Sequence, residues 1–271
     1  MNRVLTALFA VPLLLALILV APAWAFSLVV GLAALLGFWE LSRIGAAMGM
    51  APFALVGYPA CAAMVMLFVP WGEPQSGRLD WAPIAWLAGV AWLGALSAIV
   101  SRESPSRERV ARLGFTIFGT LYVGLVGFLV GLRYTGGDLE GRRWVVFLLL
   151  VVMMSDTGAY YTGKNLGRRK LAPNLSPKKT VEGLIGGVAA GVLAALCFDR
   201  LVPTGQSVGA LVGVALGLTL VGVSGDLFES FLKRAAGVKD ASALIPGHGG
   251  VLDRLDSILL AAPALWVFLQ L

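Results

Sequence analysis

Apolar residues in this chain come in long runs. They neither alternate with polar ones nor mark one face of a helix. Nine runs can be drawn, over residues 4–20, 25–41, 52–69, 81–100, 113–132, 144–161, 181–198, 207–232 and 251–269. Each is close to the about 20 residues a helix needs to cross a bilayer, and each is too long for a strand. Short polar stretches separate them. The pattern predicts an all-α fold, a polytopic integral membrane helical bundle of about nine transmembrane helices. The first two runs meet at Ala21-Pro22-Ala23, a tight turn or a kink. Residues 1–140 read as scaffold helices and 141–271 as the region that carries the chemistry.

Composition agrees with this reading. Of 271 residues 58% are hydrophobic and 13% charged, and the mean hydropathy is +0.86. Soluble domains carry about 25% charged residues. An ordinary soluble enzyme, a disordered chain and a disulfide-stapled secreted domain are excluded. Cys61 and Cys197 lie inside apolar runs and read as small hydrophobes. The first residues imitate a signal peptide, with Arg3 before an apolar core and Ala23-Trp24-Ala25 as a small-x-small site. We expect this segment to be retained as a helix. Glycine accounts for 34 residues. The ladders Gly183, Gly187, Gly191 and Gly209, Gly213, Gly217 predict close helix packing.

Charge placement suggests an orientation. With the N-terminus in the cytoplasm and nine crossings, 16 of the 21 basic residues fall on the cytoplasmic side. The other five are Arg78, Arg133, Arg142, Arg143 and Arg200. The loops 162–180 and 233–250 then face the cytoplasm.

Both loops hold groups that a bilayer does not accept freely. The first stretch contains Ser155-Asp156, Gly163-Lys164, Arg168-Arg169-Lys170 and Ser176-Pro177-Lys178-Lys179-Thr180-Val181-Glu182-Gly183. Asp156 sits near the end of an apolar run, and an intramembrane carboxylate usually faces a polar cavity. Thr180 reads as the N-cap of the next helix, with Glu182 in its first turn. Free N–H groups, the helix dipole and the ammonium groups of Lys178 and Lys179 make that start a candidate phosphate site, with Ser176 beside it. Arg168, Arg169 and Lys170 read better as a basic anchor at lipid headgroups. Gly158 to Asn165 nearly spells a P-loop, but Asn165 replaces the Ser or Thr that binds Mg²⁺, and no strand precedes it.

The second stretch runs from Gly225 to Ser257. Helical spacing puts Asp226, Ser230 and Lys233 on one face, and Asp253 and Asp256 one turn apart on the next helix. Between them lie Lys239-Asp240 and Pro246-Gly247-His248-Gly249-Gly250. Carboxylates at the ends of two helices joined by a Gly-rich loop suit a hard cation held by oxygen ligands. With His248 the chain's one histidine, zinc is a poor fit. The alternative is structural: Asp253 and Asp256 as helix caps bridged to Lys233, Arg234 and Arg254.

Ser230, Lys233, Arg234, Lys239, Asp240, His248, Gly249, Gly250, Asp253, Arg254 and Asp256 stand in an order and spacing that resembles the signature of the phosphatidate cytidylyltransferases, or CDP-diacylglycerol synthases. Ser155-Asp156 and the 176–183 segment also look like features of that family. The resemblance implies a multi-pass enzyme of the bacterial inner membrane whose active site faces the cytoplasm. It would join CTP and phosphatidic acid to give CDP-diacylglycerol and pyrophosphate. It implies Mg²⁺ on Asp226 and Asp253, room for a second cation in the same cavity (K⁺ or another Mg²⁺), and a homodimer. No nucleic acid is expected as a partner; the lipid bilayer is. Catalytic or phosphate-holding roles are expected for Asp226, Lys233, Arg234, Lys239, Asp240, His248, Asp253, Arg254 and Asp256. Substrate contacts are expected from Asp156, Ser176, Lys178, Lys179, Thr180, Glu182, Ser230, Gly249 and Gly250. Two other readings remain: a CTP-using membrane enzyme with a different acceptor, such as a polyprenol kinase or an ether-lipid cytidylyltransferase, and an ion-coupled transporter.

Overall fold

A computed structural model describes residues 12–69, 89, 106–245, 247 and 249–271. Eight helices are bounded among them: α1 (Ala23–Ala47), α2 (Ala54–Met66), α3 (Arg107–Gly124), α4 (Gly127–Tyr134), α5 (Asp138–Leu166), α6 (Val181–Leu201), α7 (Val208–Ala235) and α8 (Leu252–Phe268). Residues 12–19 are also helical and end in a turn, so Ala21-Pro22-Ala23 is a break between two helices. Pro22 occupies the N-cap of α1 in an extended conformation, where its missing N–H removes no helical bond. Among the described residues, five stretches are long and apolar enough to cross a membrane: α1, Arg107–Tyr134, α5, α6 and α7. The expected run 81–100 apart from Gly89, residues 4–11 of the first run, and His248 lie outside the described residues.

The apolar runs that are described became helices, with ends set by local chemistry. Ser106 starts α3 six residues ahead of the apolar run, its Oγ accepting from the Arg109 N–H at 3.2 Å. Thr180 caps α6 as expected, its Oγ1 accepting from the Gly183 N–H at 3.0 Å. Among the described residues, the loop 162–180 adds a short hairpin to the all-α fold. Helix α5 continues to Leu166, and an antiparallel hairpin follows, β1 (Lys170–Ala172) and β2 (Ser176–Thr180). The turn Pro173-Asn174 closes it, two residues that favour turns by fixed φ and by local hydrogen bonding.

The chain forms two compact units, residues 1–134 with 232–255 and residues 135–231 with 256–271. In the first, Phe38 of α1 is 1% exposed. Its ring lies against Gly57 of α2 and Gly119 of α3, where side chains would collide with it, and meets Tyr58 edge-on at 5.1 Å. Helices α2 and α3 run parallel: the Phe53 N–H, at the start of α2, donates to Thr116 Oγ1 midway along α3, and Met64 fills the space beside Gly124 at their ends.

In the second unit α5 packs along α6. A Cβ on Gly183 would lie 2.9 Å from the Ala159 carbonyl oxygen, one on Gly187 2.9 Å from that of Ser155, and one on Gly191 2.7 Å from Thr219 Oγ1. This ladder is the close-packing surface that its spacing predicts. The second ladder is not. Around Gly209, Gly213 and Gly217 no atom of the described residues lies within 4 Å of an added Cβ. Spacing alone marks a stripe of small residues; a facing backbone decides whether the stripe is used.

Candidate active site

The basic hairpin places its lysines by strand alternation. Lys178 and Lys179 point to opposite faces; Lys178 is exposed, and Lys179 turns inward. The Lys179 Nζ lies 2.6 Å from Asp226 Oδ2, with the two side chains 24% and 30% exposed. On α7 the Ser230 hydroxyl reaches back one turn toward Asp226 Oδ1, at 3.5 Å. The hairpin is fixed at its root. Glu182, one residue into α6, accepts the Arg168 N–H at 2.9 Å and the Arg169 N–H at 3.1 Å, and the Val181 N–H donates to the Arg169 carbonyl. Glu182 and Thr180, expected at the substrate, thus hold the element that presents Lys179. Ser176 opens β2 and is half-buried.

Asp156 is exposed on α5 beside buried Ser155, whose hydroxyl donates to the Val152 carbonyl. Gly158 is helical and packs against Ala190 and the Gly186 backbone, a setting that has nothing in common with a P-loop. Asp256 approaches the neighbourhood of Asp226 through backbone: its carbonyl oxygen lies where a Cβ on Gly225 would go. Its own Oδ1 accepts the Ser257 N–H.

The first unit holds the second cluster. The Lys233 Nζ lies 2.6 Å from Asp253 Oδ1, and these side chains are 10% and 7% exposed. Asp253 also accepts the Ala241 N–H at 3.1 Å and the Gly250 N–H at 2.7 Å. Asp253 therefore ties the Gly-rich loop to the start of α8 and to the end of α7. Gly249 has φ +80° and abuts Asp253 Oδ2, a conformation that glycine tolerates. The salt-bridged cap weighed from the sequence is present for Asp253 with Lys233. Arg234 donates to the Val238 carbonyl at 3.2 Å. Lys239, Asp240 and Arg254 are exposed.

One residue escaped the sequence reading. Glu40, inside the run 25–41, is fully buried, and its carboxylate accepts the Ser242 hydroxyl at 2.6 Å and the Val251 and Leu252 N–H groups at 3.0 and 2.6 Å. The signal was there: a lone acid in an apolar run needs a polar partner.

The donor chemistry can be tested against a hard cation. Asp226 fits: a part-exposed carboxylate and a hydroxyl one turn apart offer oxygen alone. Mg²⁺ typically takes one or two carboxylates and fills its shell with waters and substrate phosphates. The described residues contain no cluster of three or more acidic, histidine or cysteine side chains. Asp253 differs, because Lys233 and two amides already engage its oxygens.

Residues 1–271 match the Cytidylyltransferase family. The chain belongs to this family. Among curated relatives, a phosphatidate cytidylyltransferase of Staphylococcus epidermidis is 33% identical over 272 residues, covering 98% of each chain. One of Staphylococcus aureus is 34% identical over 214 residues, covering 79% of this chain and 80% of the relative. One of Haemophilus influenzae is 31% identical over 277 residues, covering 97% and 96%. The chain is a helical membrane protein of a nucleotidyltransferase family.

Proposed function

We propose that this chain joins CTP and phosphatidic acid, giving CDP-diacylglycerol and pyrophosphate, as a phosphatidate cytidylyltransferase at the cytoplasmic face of a bacterial inner membrane. The observation that carries this reading is the Lys179–Asp226 pair at 2.6 Å. It sets a phosphate-binding cation beside a cation-binding carboxylate at the end of apolar helices. The names of the relatives supply the substrate class.

In the proposed reaction a phosphate oxygen of phosphatidic acid attacks the α-phosphorus of CTP. The new P–O bond forms as the bond to the β-phosphate oxygen breaks, and pyrophosphate leaves. A phosphate monoester has a second pKa near 6 and is largely ionised at neutral pH, so it needs no strong base. The barrier is the repulsion between two anions, so positioning and charge neutralisation carry the rate. Lys178 and Lys179 on the hairpin, and Lys233, Arg234, Lys239 and Arg254, hold phosphates. Asp226 with Ser230 would hold Mg²⁺, which when bound supplies charge neutralisation at the triphosphate and the departing pyrophosphate. His248 donates a hydrogen bond. A second cation and a homodimer belong to the same reading.

The test is direct. Purified protein in mixed micelles receives labelled CTP, Mg²⁺ and phosphatidic acid. The expected products are a CDP-lipid and one pyrophosphate per turnover. Release of CDP with phosphorylation of an isoprenoid alcohol would replace this reading with a lipid kinase. Turnover with an ether-linked lipid acid but not with phosphatidic acid would change the acceptor. No transfer, with ion-coupled uptake into vesicles, would make it a transporter.

A further inference from the structure

Each end of the Gly-rich loop between α7 and α8 is held by a carboxylate, and one of the two comes from the far end of the chain. Asp253 ties down Ala241 and Gly250. Glu40 takes the Leu252 N–H from 212 residues away, together with the Val251 N–H and the Ser242 hydroxyl. These amides belong to the first residues of α8, whose N–H groups have no partner inside the helix. Glu40 is thus a tertiary N-cap, and its negative charge sits at the positive end of the helix dipole. Gly250 is moulded to it: a Cβ there would run into the Glu40 carboxylate. Gly37, one turn earlier on α1, faces a Leu252 methyl across van der Waals distance.

We propose that Glu40 is a positioning residue of the reaction: from α1 it fixes the loop between α7 and α8 at Ser242, Val251 and Leu252, with Ser242 as its relay, so that Gly249 and Gly250 are presented in one arrangement. A buried acid with three directed acceptor bonds, all to one loop, is more than a membrane helix needs for packing. An apolar side chain would fill the volume and leave two helix N–H groups and a hydroxyl without partners. Among its described residues the loop lacks regular secondary structure apart from a bridge between Ile245 and Gly249, so its conformation depends on such anchors.

For its activity readout the inference rests on the proposed reaction; a second readout does not. Ala243 is exposed in the loop. A nitroxide on Ala243→Cys, with Cys197 replaced by alanine and buried Cys61 retained, reports loop mobility without substrate. Glu40→Gln keeps the shape but turns an NH₂ toward groups that need an acceptor. We expect a more mobile nitroxide spectrum in Glu40→Gln and a fall of at least tenfold in kcat/KM for CTP. Ser242→Ala should show a smaller change in the same direction. Added to Glu40→Gln it should cause little further loss, because the hydroxyl acts through the carboxylate. If Glu40→Gln does not fold, Ser242→Ala alone carries both readouts. An unchanged nitroxide spectrum would overturn the proposal whatever happens to activity. A mobile loop with undiminished kcat/KM would overturn it too, leaving Glu40 a cap with no part in turnover. If the wild type makes no CDP-lipid, the proposed reaction fails, while the nitroxide arm still decides whether Glu40 holds the loop.

Discussion

Asp226 and Asp253 each face a lysine ammonium at 2.6 Å, yet their surroundings differ. The Lys179–Asp226 pair is part-exposed, and such pairs contribute about 0–1 kcal/mol. Asp253 is 7% exposed and shares its oxygens with two amides as well; removing one member of a buried pair typically costs about 3–5 kcal/mol. The two asparagine variants should therefore separate stability from turnover. Asp226→Asn is expected to unfold in detergent within a few degrees of wild type and to lose turnover by about 10³-fold or more, the several kcal/mol of a metal clamp. Asp253→Asn should lose turnover and also unfold at clearly lower temperature. Thermal unfolding followed by tryptophan fluorescence, with CTP turnover alongside, checks both. Near-normal turnover in Asp226→Asn would reduce that carboxylate to a partner for Lys179. His248 makes a second residue-scale prediction. If phosphatidic acid supplies its own ionised nucleophile, His248→Gln retains measurable activity and His248→Ala loses more. A general base contributes about 10²–10⁴-fold, so its loss would cripple both variants alike and remove any inflection near pH 6.5. Equal, complete loss would make His248 the base.

At the scale of elements, the two glycine ladders should behave differently. Gly187 presses its backbone against Ser155 and Ala159, and Gly213 has open space around it among the described residues. Overpacking a close contact costs about 1–3 kcal/mol. Gly187→Leu should separate α5 from α6 and lower the detergent unfolding temperature. Gly213→Leu should leave it near that of wild type. If Gly213→Leu proved as damaging as Gly187→Leu, a partner surface would have to lie against that stripe. The hairpin shows how one element serves a site. Glu182 and the Thr180 cap anchor its strands to α6, and alternation then turns Lys179 rather than Lys178 toward Asp226.

For the whole molecule, the first unit groups its helix ends. Arg112 Nε donates to the Ala51 carbonyl at 2.8 Å, so α1 ends where α3 begins. Glu40, two turns before the end of α1, meets Ser242 and Leu252. Arg133, at the other end of the span Arg107–Tyr134, donates to the Ala21 carbonyl at 3.3 Å. These contacts bring the end of α1, the start of α3 and the loop 233–250 to one end of the first unit; we propose that this loop and the loop 162–180 face the cytoplasm, where most of the basic residues fall. Asn174 and Ala243 are both exposed. Single cysteines at either position, with Cys197 replaced, should resist an impermeant maleimide in intact cells and react in inverted vesicles. Labelling of either from the periplasmic side would overturn the orientation.

The sequence by itself determined the helical membrane class, because about 20 consecutive apolar residues can satisfy their backbone in a bilayer only as a helix or a barrel strand set. It also determined the Thr180 cap, which depends on residues within one turn of each other. Family membership was legible in the spacing from Ser230 to Asp256. Three things waited for the tertiary structure. The hairpin is too short for its periodicity to show through a basic segment. The ladder at Gly209–Gly217 has the same spacing as the one at Gly183–Gly191 but meets no neighbour among the described residues, and nothing local says which faces a backbone. Glu40 is separated from its partners by more than 200 residues. Its charge marked it as needing company, but which amides it would cap depended on α1 packing against the start of α8, a long-range contact that no local pattern encodes.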